Sequence, residues 1–276
     1  MIGRFALALF CVGGLWGLIF WLTGLSVVTI RSVEVVGTVS VSPAAIASST
    51  EKFLTDRYWF IVPRSSIFFY PRESIIGNIL DSYPRVEKAE VRFKNFHTVN
   101  VTITERETAA LWCRPSLAPE TYFGEQWDDC FLMDKNGFVF DRFDPSALDS
   151  PDVMKFMVSN HFPAYIKFYG SVTGTTTPVG QSYLSPKGFQ TSLDFAKNVD
   201  YLGVTALAFR ERPDSDFDVD LVGGTRLVIP REPDISYLVS NLQAIISNPN
   251  SSEVGDLNKI DYIDLRFGSK VFYLLK

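Results

Sequence analysis

Two cysteines, two histidines and a row of four aspartates are the side chains best suited to chemistry, and their spacing points away from catalysis. Cys11 falls in a long uncharged run, which leaves Cys113 and Cys130 as a pair bracketing a 16-residue stretch rich in Pro, Glu and Asp. Oxidised, that pair would add roughly 3 kcal/mol by restricting the unfolded chain, a state that belongs outside the cytoplasm. Two reduced, buried thiols are the alternative. A zinc site needs more ligands than remain: His97 and His161 are the only histidines, and there is no second Cys pair. His97 lies beside a strand start and His161 before Pro163, so both read as turn residues rather than as a general base. Asp214, Asp216, Asp218 and Asp220 alternate along an expected strand. They lack the loop spacing and glycine of a calcium-binding EF-hand and read as a solvated strand face. Gly223-Gly224 separates two expected strands instead of opening a helix, so it is no phosphate loop. No GxSxG, HExxH or paired CxxC occurs. The expectation is a non-enzyme with no catalytic residues, no cofactor and no metal.

The elements that must position the remaining polar groups begin with an anchor. Phe5 to Ile30 is a run of 26 residues without Asp, Glu, Lys or Arg. As a helix it would be about 39 Å long, enough to cross a hydrocarbon core of about 30 Å. It is too long for the apolar region of a signal peptide, and Leu25 to Val28 is a poor cleavage site. The reading is an uncleaved transmembrane helix over 5–30 after a cytoplasmic segment of residues 1–4. With Cys113 and Cys130 oxidised, residues 31–276 would lie outside the cytoplasm. The net charge of −5 and the isoelectric point near 5.2 argue against nucleic acid as a partner.

Residues 31–106 read as one small module. A strand with Val33 and Val35 ends at Gly37, and Ser42-Pro43 starts a helix with a Ser cap and Pro in its first turn. Pro71 opens a second helix with Ile75, Ile76, Ile79 and Leu80 on one stripe, and Pro84 ends it. Strands over 86–93 and 99–105 follow. This order predicts two helices on a three-stranded sheet, an α+β arrangement. Residues 107–276 read as a second α+β module, mainly antiparallel. It has a hairpin over 131–140, a strand over 164–169, helices over 186–202 and 233–247, and strands over 204–210, 217–222 and 225–229. Its last element is a hairpin, Tyr262–Phe267 and Val271–Leu275, joined at Gly268-Ser269. The second strand runs to the end of the chain, so either it is paired inside its own sheet or it leaves a long apolar edge, of the kind that proteins normally blunt, for another protein to complete. Asp264 and Arg266 share one face of the first strand, being two apart.

The first module resembles a POTRA domain, a polypeptide-binding unit of membrane-tethered proteins. Ile30–Gly37 (IRSVEVVG) directly after the uncharged run, Thr104–Trp112 (TERETAALW), Asp134–Phe140 (DKNGFVF), Gly223–Leu227 (GGTRL) and Tyr262–Phe267 (YIDLRF) together resemble the FtsQ/DivIB family of bacterial cell-division proteins. The four-residue cytoplasmic segment, the Cys113/Cys130 pair and the connection from Phe143 to Pro163 depart from the family pattern. The resemblance implies a non-catalytic division-septum protein that contacts FtsB/FtsL-type partners and regulates septal cell-wall synthesis. It implies that Arg266, Phe267, Lys270, Val271, Phe272 and Tyr273 form a docking site where a partner adds a strand. Other membrane division proteins would meet the POTRA-like module, and no small-molecule substrate is implied. The rival reading is a membrane-anchored POTRA-type chaperone or translocation subunit, which would show tandem POTRA units or a following barrel.

Overall fold

The computed structural model describes residues 13–14, 17, 28–58, 62–114, 129–144, 165–172, 177–247 and 256–276. They form a mixed α+β protein with four helices. The chain divides into two compact units, Met1–Arg106 and Glu107–Lys276. Of the run 5–30, Gly13, Gly14 and Gly17 are helical and 28–30 are described; the rest of the expected span, with the segment 1–4, lies outside the described residues. Among the described residues no helix is long and apolar enough to cross a membrane.

In the first unit, β1 (Ser32–Val36), β4 (Val86–Asn95) and β5 (Thr98–Glu105) form a sheet in the order β1-β5-β4. β1 runs parallel to β5, and β4 antiparallel to it. Helices α1 (Pro43–Leu54) and α2 (Arg72–Ser82) supply Ile46, Leu54, Ile75 and Ile79 to a core with Val91, Val99, Val101 and Ile103. Ser42 caps α1 by accepting from the Ala45 N–H, as its sequence predicts. α2 begins one residue later than expected, with Pro71 at the cap position. A small ladder of β2 (Arg57–Tyr58) and β3 (Val62–Pro63) forms where the sequence reads as a loop. Gly37 has φ of 87°, and a Cβ there would strike the Ile103 carbonyl, so the turn after β1 requires glycine. The Glu105 carboxylate closes that end by accepting the Val39, Ser40 and Val41 N–H groups at 2.7–3.0 Å. Burial acts to raise its pKa, but these three donors outweigh it and hold the carboxyl below its usual range.

The second unit is built on one nine-stranded sheet of order β14-β13-β12-β11-β10-β9-β6-β7-β8. Its strands are β6 (Ala110–Cys113), β7 (Cys130–Met133), β8 (Val139–Arg142), β9 (Lys167–Tyr169), β10 (Ala206–Glu211), β11 (Phe217–Leu221), β12 (Arg226–Ile229), β13 (Ile260–Phe267) and β14 (Lys270–Leu275). Three pairings are parallel (β6 with β9, β9 with β10, β12 with β13) and five antiparallel. β6, an interior strand third from the β8 edge, is absent from the sequence reading because all four of its residues are buried and show no alternation. Helices α3 (Pro186–Asp200) and α4 (Ile235–Ile246) pack on one face, capped by Ser185 and Asp234. There Phe168 is the hub of an aromatic cluster, stacked on Phe209 at 4.9 Å and tilted against Phe189 at 5.0 Å.

On β6 and β7 the directly paired Cys113 and Cys130 are disulfide-bonded, among Leu111, Phe143 and neighbouring tyrosines. The bond closes the segment that contains 115–128, residues outside the described set. Replacing both cysteines by alanine is expected to lower the unfolding free energy by roughly 2–3 kcal/mol, since the unfolded chain loses its cross-link. Denaturant titration of the two proteins checks this, and the variant should lose its sensitivity to reductant.

Candidate functional site: the terminal hairpin and its ionic brace

The hairpin of β13 and β14 turns at Gly268, where φ is 65°, a value a two-residue loop requires and glycine adopts freely. β13 alternates by design. Ile263 and Leu265 enter the helix-covered core, while Tyr262, Asp264 and Arg266 face the other side of the sheet.

On that other side the structure assembles a cluster the sequence does not reveal. Arg266 donates from Nε to Asp264 Oδ1 at 3.0 Å and from Nη2 to Asp264 Oδ2 at 2.8 Å. Its Nη1 donates to both Asp214 Oδ2 and Asp216 Oδ2, each at 3.0 Å. The two aspartates come from the turn between β10 and β11, in which Ser215 takes φ of 69° and the Arg212 N–H closes the turn on the Asp216 carbonyl at 2.9 Å. The other oxygen of Asp216 accepts the Arg231 N–H at 3.2 Å. Further along the face Arg212 donates to Asp218 at 2.8 Å and Arg210 to Asp220 at 2.6 Å. The aspartate row expected as a solvated strand face is therefore one half of a cross-strand lattice with arginines. The reason is register: Asp218 lies opposite Arg210, and Asp220 opposite Arg226, so alternate positions of adjacent strands bring opposite charges together.

Asp264 is only 7% exposed, and burial acts to raise its pKa. The hydrogen bonds from the Arg266 guanidinium and backbone N–H outweigh that and hold the carboxyl below its usual range. The Asp264 hydrogen bond, seconded by that to Asp216, raises the Arg266 pKa further, so this cation does not titrate. Arg266 is thus committed to its own fold, and its guanidinium braces the hairpin against the β10–β11 turn.

The hairpin is held from the helix side too. Asn241 of α4 donates to the Gly268 carbonyl at 3.0 Å, and Val271 packs against the core. At the far end the Lys276 N–H donates to the Lys259 carbonyl at 2.9 Å, and Lys276 Nζ to the Gly223 carbonyl at 3.2 Å. The Lys276-to-Lys259 bond makes Leu275 and Ile260 a non-hydrogen-bonded pair, so the N–H and C=O of Leu275 point away from β13. Alternation repeats this at Tyr273 and Val271.

β14 therefore presents a backbone edge with no partner strand among the described residues. Its side chains match that edge. Phe272 and Leu274 are 52% and 51% exposed on the lattice side, and Tyr273 is 47% exposed on the helix side. Phe267, at 55%, meets Phe272 edge to face at 5.3 Å. The proposed docking residues Phe267, Lys270, Val271, Phe272 and Tyr273 are thus brought together, with Arg266 behind them as a support.

Two other sheet edges, those of β8 and β4, are blunted. On β8 the backbone of Val139 is taken up by Gln181 and Gly180 at 2.8 Å each, and Tyr183 N–H donates to the Gly137 carbonyl. β4 of the first unit carries Lys88, Glu90, Arg92 and Lys94, with Lys88–Glu90 paired at 2.6 Å. Charged edge residues resist strand addition. Only Lys270 and Lys276 are charged along 270–276. Among the described residues no group of three His, Cys, Asp or Glu could hold a metal. No family model matches the chain, and no curated protein matches it.

Proposed function

We propose that this protein is a non-catalytic, single-pass inner-membrane component of the bacterial division machinery, similar to the FtsQ/DivIB family. The uncharged run supplies its membrane anchor through residues 5–27, and residues 28–276 lie outside the cytoplasm. The first unit is POTRA-like, and the second offers β14 to an FtsB-like partner that pairs with it as a further strand. The observation that carries this reading is the contrast of edges: β14 has an apolar, unpaired outer side on a hairpin braced from both faces, whereas β8 is covered and β4 is charged. Strand addition draws affinity from backbone hydrogen bonds and specificity from alternate side chains. A hairpin already held in place loses little further freedom on binding. The charged β4 edge also weighs against strand capture at that edge of the first unit.

The test is co-purification of the full chain with the FtsB-like protein of the same organism. Deleting residues 270–276 should abolish capture, and Phe272→Lys should weaken it with the fold unchanged. Lysine suits this probe because position 272 lies opposite Asp264, so the new charge faces an anion. Undiminished capture by both variants would refute the docking site.

A further inference from the structure

The first unit carries its own exposed aromatics, gathered where the uncharged run joins it. Val28 accepts the Ile67 N–H at 3.1 Å, and the Ile30 N–H donates to the Ser65 carbonyl at 2.7 Å. Thr29 bridges Ser66, and its carbonyl lies 3.1 Å from His97 Nδ1, while the Arg31 N–H donates to the His97 carbonyl at 2.8 Å. The last residues of the run are thus built into the unit between two turns, and Ile30 is buried in its core. On those two turns sit Phe68 and Phe69, one and two residues from Ile67, and Phe96, next to His97. All three are exposed, Phe68 at 68% and Phe96 at 62%, and Phe93 is exposed on the strand leading to the second turn.

We infer that Phe68, Phe69 and Phe96, with Phe93 beside them, form a collar that seats the first unit in the lipid headgroup layer. This rests on the reading of residues 5–27 as a membrane anchor. Residues 5–27 as a helix would be about 34 Å long, little more than the hydrocarbon core of about 30 Å. No slack then remains between that helix and Val28, which is already hydrogen-bonded within the unit. Rings one to two residues from that junction must lie at headgroup depth, where aromatic side chains are favoured. Lys94 beside the collar already pairs with Glu34 at 2.7 Å. The rings carry the contact, each gaining from the apolar area it buries.

The experiment places single spin labels on the full chain in phosphatidylethanolamine/phosphatidylglycerol vesicles, with Cys11 replaced by serine and the disulfide intact. Relaxation by oxygen against that by a water-soluble nickel chelate reports depth. Labels go to Phe68→Cys and Phe96→Cys, to Leu15→Cys within the run, and to Val39→Cys. Val39 is 90% exposed and follows the opposite end of β1, across a sheet of roughly 25 Å. The expected result is a shift to oxygen-dominated relaxation at 15, 68 and 96, with nickel dominant at 39. Oxygen dominance at 15 with 68 and 96 as nickel-accessible as 39 would overturn the collar and leave the anchor standing. Nickel access at 15 would overturn the anchor, and the collar with it.

Discussion

Arg266→Ala is expected to lower the unfolding free energy by about 3 kcal/mol. Breaking a buried ion pair by removing one partner costs about 3–5 kcal/mol, because the other charge stays behind uncompensated. Here the abandoned groups are Asp264, nearly buried, and the Asp214 and Asp216 carboxylates that converge on the same Nη1. The low end of the range applies because the Arg266 side chain is itself 22% exposed. Lysine should rescue only part, since one ammonium cannot reproduce the paired Nε and Nη2 bonds to Asp264. Pairing Arg266→Met with Asp264→Leu should recover part of the loss, because it removes the most buried of the stranded charges while Asp214 and Asp216 remain.

The pH dependence separates these variants. In the wild type the folded pKa of Asp264 is depressed, so its stabilisation is complete above the unfolded value near 4 and is lost as pH falls through the lowered folded value. In Arg266→Ala the same carboxylate is buried without its cation, which raises its folded pKa and reverses the slope. The stability gap between wild type and variant is therefore expected to narrow in acid, as denaturant midpoints across pH would show. A gap independent of pH would mean that Asp264 does not depend on Arg266.

Tyr273→Pro is expected to weaken partner binding by about 10- to 100-fold while leaving the fold intact. The Tyr273 N–H points away from β13, so proline there removes no hydrogen bond of the hairpin. Phe272, the residue before it, is already extended, the conformation a following proline favours. An added strand would lose a donor and bury an unpaired carbonyl, at about 1–3 kcal/mol, and each 1.4 kcal/mol is tenfold in affinity. Leu274→Pro is the contrast, since that N–H points toward β13 and its loss damages the hairpin itself. Titration calorimetry for binding and circular dichroism for folding would resolve the two. Equal affinities of Tyr273→Pro and wild type would remove backbone pairing from the account.

How far the chain could be read in advance depended on how local each feature is. The stripe of Leu238, Val239, Leu242, Ile245 and Ile246 marks α4 because helical spacing needs no knowledge of what the helix packs on. The final hairpin is legible for the same reason, its glycine turn lying between two apolar runs. β6 is not, since four residues buried on both faces carry no period. The three parallel pairings are equally hidden, as each joins strands distant in sequence. For Arg266 the sequence shows Asp264 two residues away, but not Asp214 and Asp216, which approach from 52 and 50 residues earlier. In the structure that arginine ties the terminal hairpin to the β10–β11 turn.

Amide hydrogen exchange on the full chain, with and without saturating FtsB-like partner, tests the central claim most directly. If β14 receives a further strand, the outward amides of Val271, Tyr273 and Leu275 become protected in the complex, while those of Phe272 and Leu274, already bonded to β13, change little. A complex that forms with the outward amides still exchanging as in the free chain would contradict it.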